Sequence, residues 1–323
     1  MLPGPADIEV HGLTKRFRGV TAVDDLTFRA LPGRVTGFLG PNGSGKTTTL
    51  RCILGLVRPT HGTATVAGRP ITQLDSPGRV VGAALEASGF HPGRTAHDHL
   101  CSLAAASGLA RHRALDVLDL VGLAPVANRR VGGFSLGMRQ RLTLAGALLG
   151  EPQALILDEP ANGLDPEGIA WLRGLLRTLA EQGCTVLVSS HALSEVQQSA
   201  DDVVIISAGV LRYCGPLAGL AQGASPPIAG PRTQVRSPQR DELLAALAAR
   251  HPQASLQSVG TDALIAELPP EVIGHVAFDL RLELHELSPM DKPTRVWGTA
   301  DSEGHLEAAF LRMTSMPNAE QTP

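Results

Sequence analysis

Strands and helices alternate along this chain, and that alternation predicts an α/β fold around a largely parallel central sheet. Two features sharpen the reading. The runs Val35–Leu39 and Ala154–Leu157 are short and largely apolar, as strands covered on both faces of a parallel sheet require. Each ends in a segment whose chemistry differs from its own: glycines after the first, two carboxylates after the second.

The elements follow in order. Ile8–Phe17 and Val23–Arg29 alternate in polarity around Arg18-Gly19 and read as antiparallel strands. After strand Val35–Leu39, a helical pattern runs from Lys46 to about Val57, closed by Arg58-Pro59-Thr60-His61-Gly62. Thr95, three residues before Asp98, caps a helix over His97–Ala106, and a second helix covers Ala114–Val121. Helix Leu136–Leu149, strand Ala154–Leu157, helix Pro166–Gln182 and strand Thr185–Ser189 come next. Strands Val203–Ser207 and Val210–Cys214 flank Ala208-Gly209. The helix-rich stretch 90–150 reads as an inserted helical subdomain. Residues 223–231, rich in proline and small residues, read as a linker that closes a first domain at 1–222. Residues 232–323 form an α+β accessory domain in this reading. Its strands are Thr233–Arg236, Ser255–Val259, Ala263–Leu268 and Arg281–Leu287, and its helices Asp241–Arg250 and Pro270–Leu280. That β-α-β-β-α-β order suits a ferredoxin-like, split-βαβ arrangement. A short helix Leu306–Met313 precedes an end expected to be disordered.

Composition narrows the function. Of 323 residues, 43% are apolar, enough for a sizeable core. A net charge of −3 offers no basic field for nucleic-acid phosphates, so no nucleic-acid partner is expected. Cys52, Cys101, Cys184 and Cys214 show no metal-type spacing and read as reduced thiols of a cytosolic protein, with a disulfide framework as the alternative. No signal peptide and no run of about 18 apolar residues is apparent. Any membrane part is therefore expected on another chain.

Three segments carry chemistry. Gly40-Pro41-Asn42-Gly43-Ser44-Gly45-Lys46-Thr47 fits a P-loop in full, between an apolar strand and a helix. Its glycines let successive N–H groups point at phosphate oxygens, and the helix N-terminus adds partial positive charge. In such a loop Lys46 reaches the β- and γ-phosphates of a nucleotide, Thr47 offers its hydroxyl to Mg²⁺, and Thr48 contacts the α-phosphate. Asp158 and Glu159 close a buried strand at the end where α/β folds bind ligands. Asp158 suits a Mg²⁺ site reached through water, and Glu159 a general base for an attacking water. An acidic pair capping the next helix is the plainer alternative. Phe134-Ser135-Leu136-Gly137-Met138 places a hydroxyl and a glycine at a helix start, a second anion site or simply an N-cap.

Together with Asn162-Gly163-Leu164-Asp165 and Ser190-His191, these segments stand in the order and spacing of ATP-binding-cassette (ABC) ATPases, which residues 8–220 resemble. The resemblance implies a P-loop NTPase with a RecA-like core, an antiparallel β subdomain and a helical subdomain. It implies ATP and Mg²⁺ as cofactors, Phe17 as an adenine-stacking aromatic, Asp165 in the D-loop that crosses a dimer interface, and His191 as the switch that contacts the γ-phosphate. Phe17 as a strand-core residue is the alternative. Leu136 and Met138 depart from the common Leu-Ser-Gly-Gly-Gln signature, although Ser135 and Gly137 remain. Glu86 stands where the family keeps the Q-loop glutamine and is a candidate Mg²⁺ or water ligand.

Both departures resemble the bacterial exporter branch for antibiotics, lantibiotics and other small amphiphiles, in which ATPase and permease are separate chains. That implies a homo- or heterodimer of cassettes, an integral membrane permease as partner, and a cytoplasmic location at the inner face of the membrane. Phe90, in the loop Ala87–Gly93, either lines the groove for a permease helix or folds under the helical subdomain. A soluble regulatory cassette is the alternative function, although those chains usually carry two P-loops. A DNA-repair or chromosome ATPase is disfavoured by the absence of a long coiled coil between P-loop and signature.

Overall fold

The computed structural model describes residues 6–85, 89–221, 233–251, 254, 256–259, 263–266, 268, 270–289, 306, 310, 311, 313 and 314. Its contacts divide the chain into two units, 1–224 with 301–323, and 225–300.

The first unit opens with β1 (Ile8–Phe17), β2 (Val20–Ala30), β3 (Val35–Leu39), α1 (Lys46–Ile53) and β4 (His61–Val66). It continues through α2 (Pro77–Val80), β5 (Val81–Ala84), α3 (Ala96–Ala106), α4 (Arg113–Leu120) and α5 (Leu136–Leu148). It ends with β6 (Ala154–Leu157), α6 (Pro166–Glu181), β7 (Thr185–Ser190), α7 (Leu193–Val196), β8 (Asp202–Ser207), β9 (Val210–Pro216) and α8 (Leu217–Ala221).

The central sheet has the order β5-β6-β7-β3-β8-β9, parallel throughout except for β9 at the edge. Every residue of β3, β6 and β7 is buried, which is why these strands are mostly apolar, with the few polar residues Thr36, Thr185, Ser189 and Ser190 buried among them. Leu39 pairs with Ser190 and Leu157 with Val188, so the carboxyl ends of the three strands lie side by side. Whatever follows each strand is thereby delivered to one place.

Two layers cover this sheet. A second sheet, ordered β2-β1-β4, packs Ile8, Val10, Leu26 and Phe28 onto Phe38, Leu50 and Ile156, with the Phe28 and Phe38 rings stacked at 5.3 Å. The other face meets the helical layer, where Leu100, Val117, Leu118 and Leu142 share a core with Leu155, Leu157, Val186 and Val188. Thr95 caps α3 as expected, its Oγ1 accepting the Asp98 N–H at 3.0 Å. All four cysteines are free, and burial pushes the Cys184 thiol up to about 12.

The 225–300 unit contains β10 (Thr233–Arg236), α9 (Arg240–Arg250), β11 (Leu256–Val259), β12 (Ala263–Ala266), α10 (Pro270–Asp279) and β13 (Glu286–Pro289). These form an antiparallel sheet ordered β11-β12-β10-β13, with the β-α-β-β-α-β element order read from the sequence.

Several expectations change. Strands β4 and β5 were not anticipated. α1 stops at Ile53 rather than near Val57, and the last strand is Glu286–Pro289 rather than Arg281–Leu287. Residues 301–323 group with the first unit, not with the accessory domain where the sequence reading put them. The cause is hydrophobic: Leu306 and Phe310 are buried in the same core as Tyr213, Leu217 and Leu220, and Ser207 Oγ donates to Thr314 O at 3.1 Å. The proposed linker 223–231 lies outside the described residues. Among the described residues no helix is long and apolar enough to cross a membrane.

Candidate functional site

The P-loop spans the turn from β3 into α1. Gly45 starts the helix at φ 105°, and a Cβ there would sit 2.5 Å from the Ala22 carbonyl, so only glycine fits. The loop wraps the Lys46 side chain until it is 6% exposed. Its Nζ donates to Gly40 O at 2.7 Å and Pro41 O at 3.3 Å, and lies 3.3 Å from Glu159 Oε1. A buried ammonium needs such partners, since an unpaired one costs several kcal/mol.

The carboxyl end of β6 supplies the two carboxylates. Asp158 is buried, and both of its oxygens are engaged: Thr47 Oγ1 donates to Oδ2 at 2.7 Å and Ser189 Oγ to Oδ1 at 2.5 Å. Glu159 turns the chain at φ 51°, a left-handed conformation that a non-glycine residue rarely adopts. The turn brings its carboxylate to Lys46 on one side and to His191 on the other, where Oε2 and Nδ1 are 2.6 Å apart. His191 follows β7 and is 44% exposed. Ser190, beside it, bonds Glu195, and the ligand atoms of Glu159, His191 and Glu195 all lie within 4.8 Å of one another.

Asn42, Lys46, Thr47, Glu159, Asn162 and His191 line a cavity of about 310 Å³, with Ala22 of the β1–β2 hairpin at its wall. The donor set fits the expected cofactors. Ser44 Oγ is buried with no hydrogen-bond partner, beside the N-terminus of α1, a place that suits an anionic oxygen. Thr47 and Asp158 bring hard oxygen atoms together, the ligand type Mg²⁺ takes.

The other sequence candidates sit as follows. Gly40, Pro41, Asn42, Gly43, Ser44 and Thr48 belong to the same loop and helix start. Phe17, at the hairpin tip, is 45% exposed, and Lys15 Nζ stands 4.7 Å over its ring, so it is not a strand-core residue. Ser135 caps α5 by accepting the Met138 N–H at 3.2 Å, and Gly137 lies against the Gly163 carbonyl. Asp165 caps α6 by accepting the Gly168 N–H at 2.8 Å. None of these last three lines the cavity. Phe90 packs against the helical-layer core with its ring edge-on to His99 at 4.9 Å. Glu86 lies outside the described residues.

The sequence reading assigned no role to Ser189 or Ala22, and it placed Asn162 only in the interface-crossing D-loop, whereas Asn162 lines the cavity. For Ser189 a signal existed: a hydroxyl on the strand neighbouring the one that ends in Asp158. Ala22 contributes only backbone and a methyl group, which carry no chemical signature.

The chain matches the ABC transporter family model over residues 23–162 and a domain of unknown function, DUF8746, over residues 231–292. It is 44% identical over 207 residues to the bacitracin transport ATP-binding protein BcrA of Bacillus licheniformis, covering 63% of this chain and 68% of that one. It is 36% identical over 202 residues to the lantibiotic transport ATP-binding protein SrtF of Streptococcus pyogenes, covering 62% and 87%. A solved ATP-binding subunit of an ABC transporter superposes with a TM-score of 0.61 at 28% identity, covering 68% of this chain and 95% of that one. The dimeric, post-hydrolysis ATP-binding cassette MJ0796 with ADP and Pi shares the fold, with a TM-score of 0.59 at 24% identity over 65% and 98%.

Proposed function

This chain belongs to the ABC transporter family as an ATP-binding and ATP-hydrolysing cassette, and on that premise we propose that it powers export of a small amphiphile, such as a peptide antibiotic or drug, through a separate membrane permease. The cargo class rests on the likeness to the bacitracin and lantibiotic transport proteins. The mechanism rests on one observation, the Glu159 carboxylate held between Lys46 and His191 at the mouth of the P-loop.

In this reading the P-loop N–H groups and Lys46 bind the β- and γ-phosphates, Thr48 contacts the α-phosphate and Phe17 stacks on adenine. Thr47 and Asp158 hold Mg²⁺, which when bound supplies charge neutralisation on the phosphate oxygens. Glu159 accepts the proton of the attacking water, and His191 orients Glu159 and meets the γ-phosphate. Ser135 and Gly137 lie away from this chain's own cavity. That supports a head-to-tail dimer, with itself or a related cassette, in which they face the nucleotide of the other copy and Asp165 lies at the interface. The subunit then sits at the cytoplasmic face of the membrane through its permease.

Purification of tagged chain from gently solubilised membranes tests the proposal. An integral membrane protein should copurify, and reconstitution with it should raise ATP turnover. Recovery of all the chain in the soluble fraction, with no membrane partner, would overturn the transport reading.

A further inference from the structure

The general-base reading leaves open how Glu159 keeps a backbone conformation that side-chain-bearing residues avoid. The answer lies one strand away. Ser189 is fully buried near the end of β7, its backbone paired with Phe38 of β3. Its hydroxyl has one proton to give and lone pairs to accept with, and both capacities are used. It donates to Asp158 Oδ1 at 2.5 Å and accepts the Glu159 N–H at 2.9 Å. One oxygen therefore fixes the orientation of the Asp158 carboxylate and closes the turn at Glu159, where φ is 51°. Two residues further on, the same strand delivers His191, whose Nδ1 meets the other end of Glu159. Glu159 is thus held at its backbone by Ser189 and at its carboxylate by His191, both from one strand.

We propose that Ser189 is a positioning residue for hydrolysis: its hydroxyl sets the Glu159 turn and the Asp158 carboxylate, and ties both to the strand that carries His191. The inference rests on Glu159 being the general base. It goes beyond that reading by adding a residue that touches neither nucleotide nor water. A hydroxyl that merely satisfied a buried N–H would lower stability and nucleotide affinity along with turnover. A positioning hydroxyl lowers turnover far more than affinity, because the phosphate contacts come from the P-loop, built by β3 and α1, and not from Ser189.

The test compares Ser189→Cys, which keeps the volume and weakens the hydrogen bonds, with Ser189→Ala and Ser189→Thr. Full-length protein is assayed for turnover at saturating Mg-ATP, for affinity with a fluorescent ATP analogue, and for melting temperature. Ser189→Cys and Ser189→Ala should lose about tenfold or more in kcat, the scale of a lost hydrogen bond to a charged group, while ATP affinity changes by less than about twofold. Ser189→Thr, which keeps the hydroxyl, should retain most of the turnover. Wild-type kcat in Ser189→Cys overturns the proposal. So does a parallel fall of kcat, affinity and melting temperature that threonine fails to rescue. Glu159→Gln, run alongside, separates the two readings. If it hydrolyses normally, the base assignment falls and Ser189 with it; if it is inactive while Ser189→Cys is fully active, only the Ser189 role falls.

Discussion

The two units of this chain bury different chemistry. Around the carboxyl ends of β3, β6 and β7 the first unit buries a lysine, a carboxylate and several hydroxyls, and forces Glu159 into a left-handed turn. In the 225–300 unit the core is Val235, Leu243, Leu247, Leu264, Ala266, Ile273, Val276 and Ala277. Its described buried polar residues, Thr233 and Ser237, are each spent on a backbone bond within the unit, to Leu268 O at 2.6 Å and from Gln239 N at 3.1 Å. Folding explains the described buried residues of the second unit. It does not explain buried Lys46 and Ser44 or left-handed Glu159, and that surplus of costly burial and strain marks where the chain does work.

The comparison is most exposed at Glu159. Glu159→Gln keeps shape and loses the proton acceptor, so turnover should fall by about 10²- to 10⁴-fold while ATP binding persists. Phosphate release and nucleotide binding, measured on one preparation, check it. Surviving turnover would mean that the strained carboxylate is structural. Lys46→Ala should cost about 10²- to 10³-fold in turnover, the scale of one lost electrostatic contact to a developing charge, and should weaken ATP binding as well. Phe310→Ala sharpens the boundary between the units. If residues 301–323 belong to the cassette core, denaturant unfolding of the cassette should lose about 3–5 kcal/mol. The smallest effect belongs to the second unit: replacing residues 225–300 by a short flexible linker, with 301–323 retained, should leave ATP turnover within about twofold. A large loss there would show that the second unit supports the catalytic one.

Much of this was legible because the informative residues are local. The P-loop and the Asp158-Glu159 pair declare themselves through contiguous sequence, and the buried strands feeding them are short, largely apolar runs. What escaped depends on contacts between distant segments. β4 is exposed over its first three residues and β5 is four residues containing glycine, so neither carries a clear period. Leu306 and Phe310 show helical spacing, but nothing local says which core receives them. The role of Ser189 exists only once β6 and β7 are paired in register, and the left-handed turn at Glu159 follows from that pairing rather than from any residue preference.

The leucine that replaces the first signature glycine has a consequence for how this chain tolerates change. The Leu136 side chain lies directly over Gly163, filling the space that any Cβ at position 163 would enter, and Gly163 itself has φ 80°. A side chain at position 163 therefore forces the Leu136 side chain to move. Trimming Leu136 relieves the crowding but not the backbone angle. Substitution is therefore coupled: changes at 163 are easier after one at 136, and even then favour residues such as asparagine that tolerate a left-handed backbone. Two segments far apart in the chain are thereby tied into one unit of sequence drift.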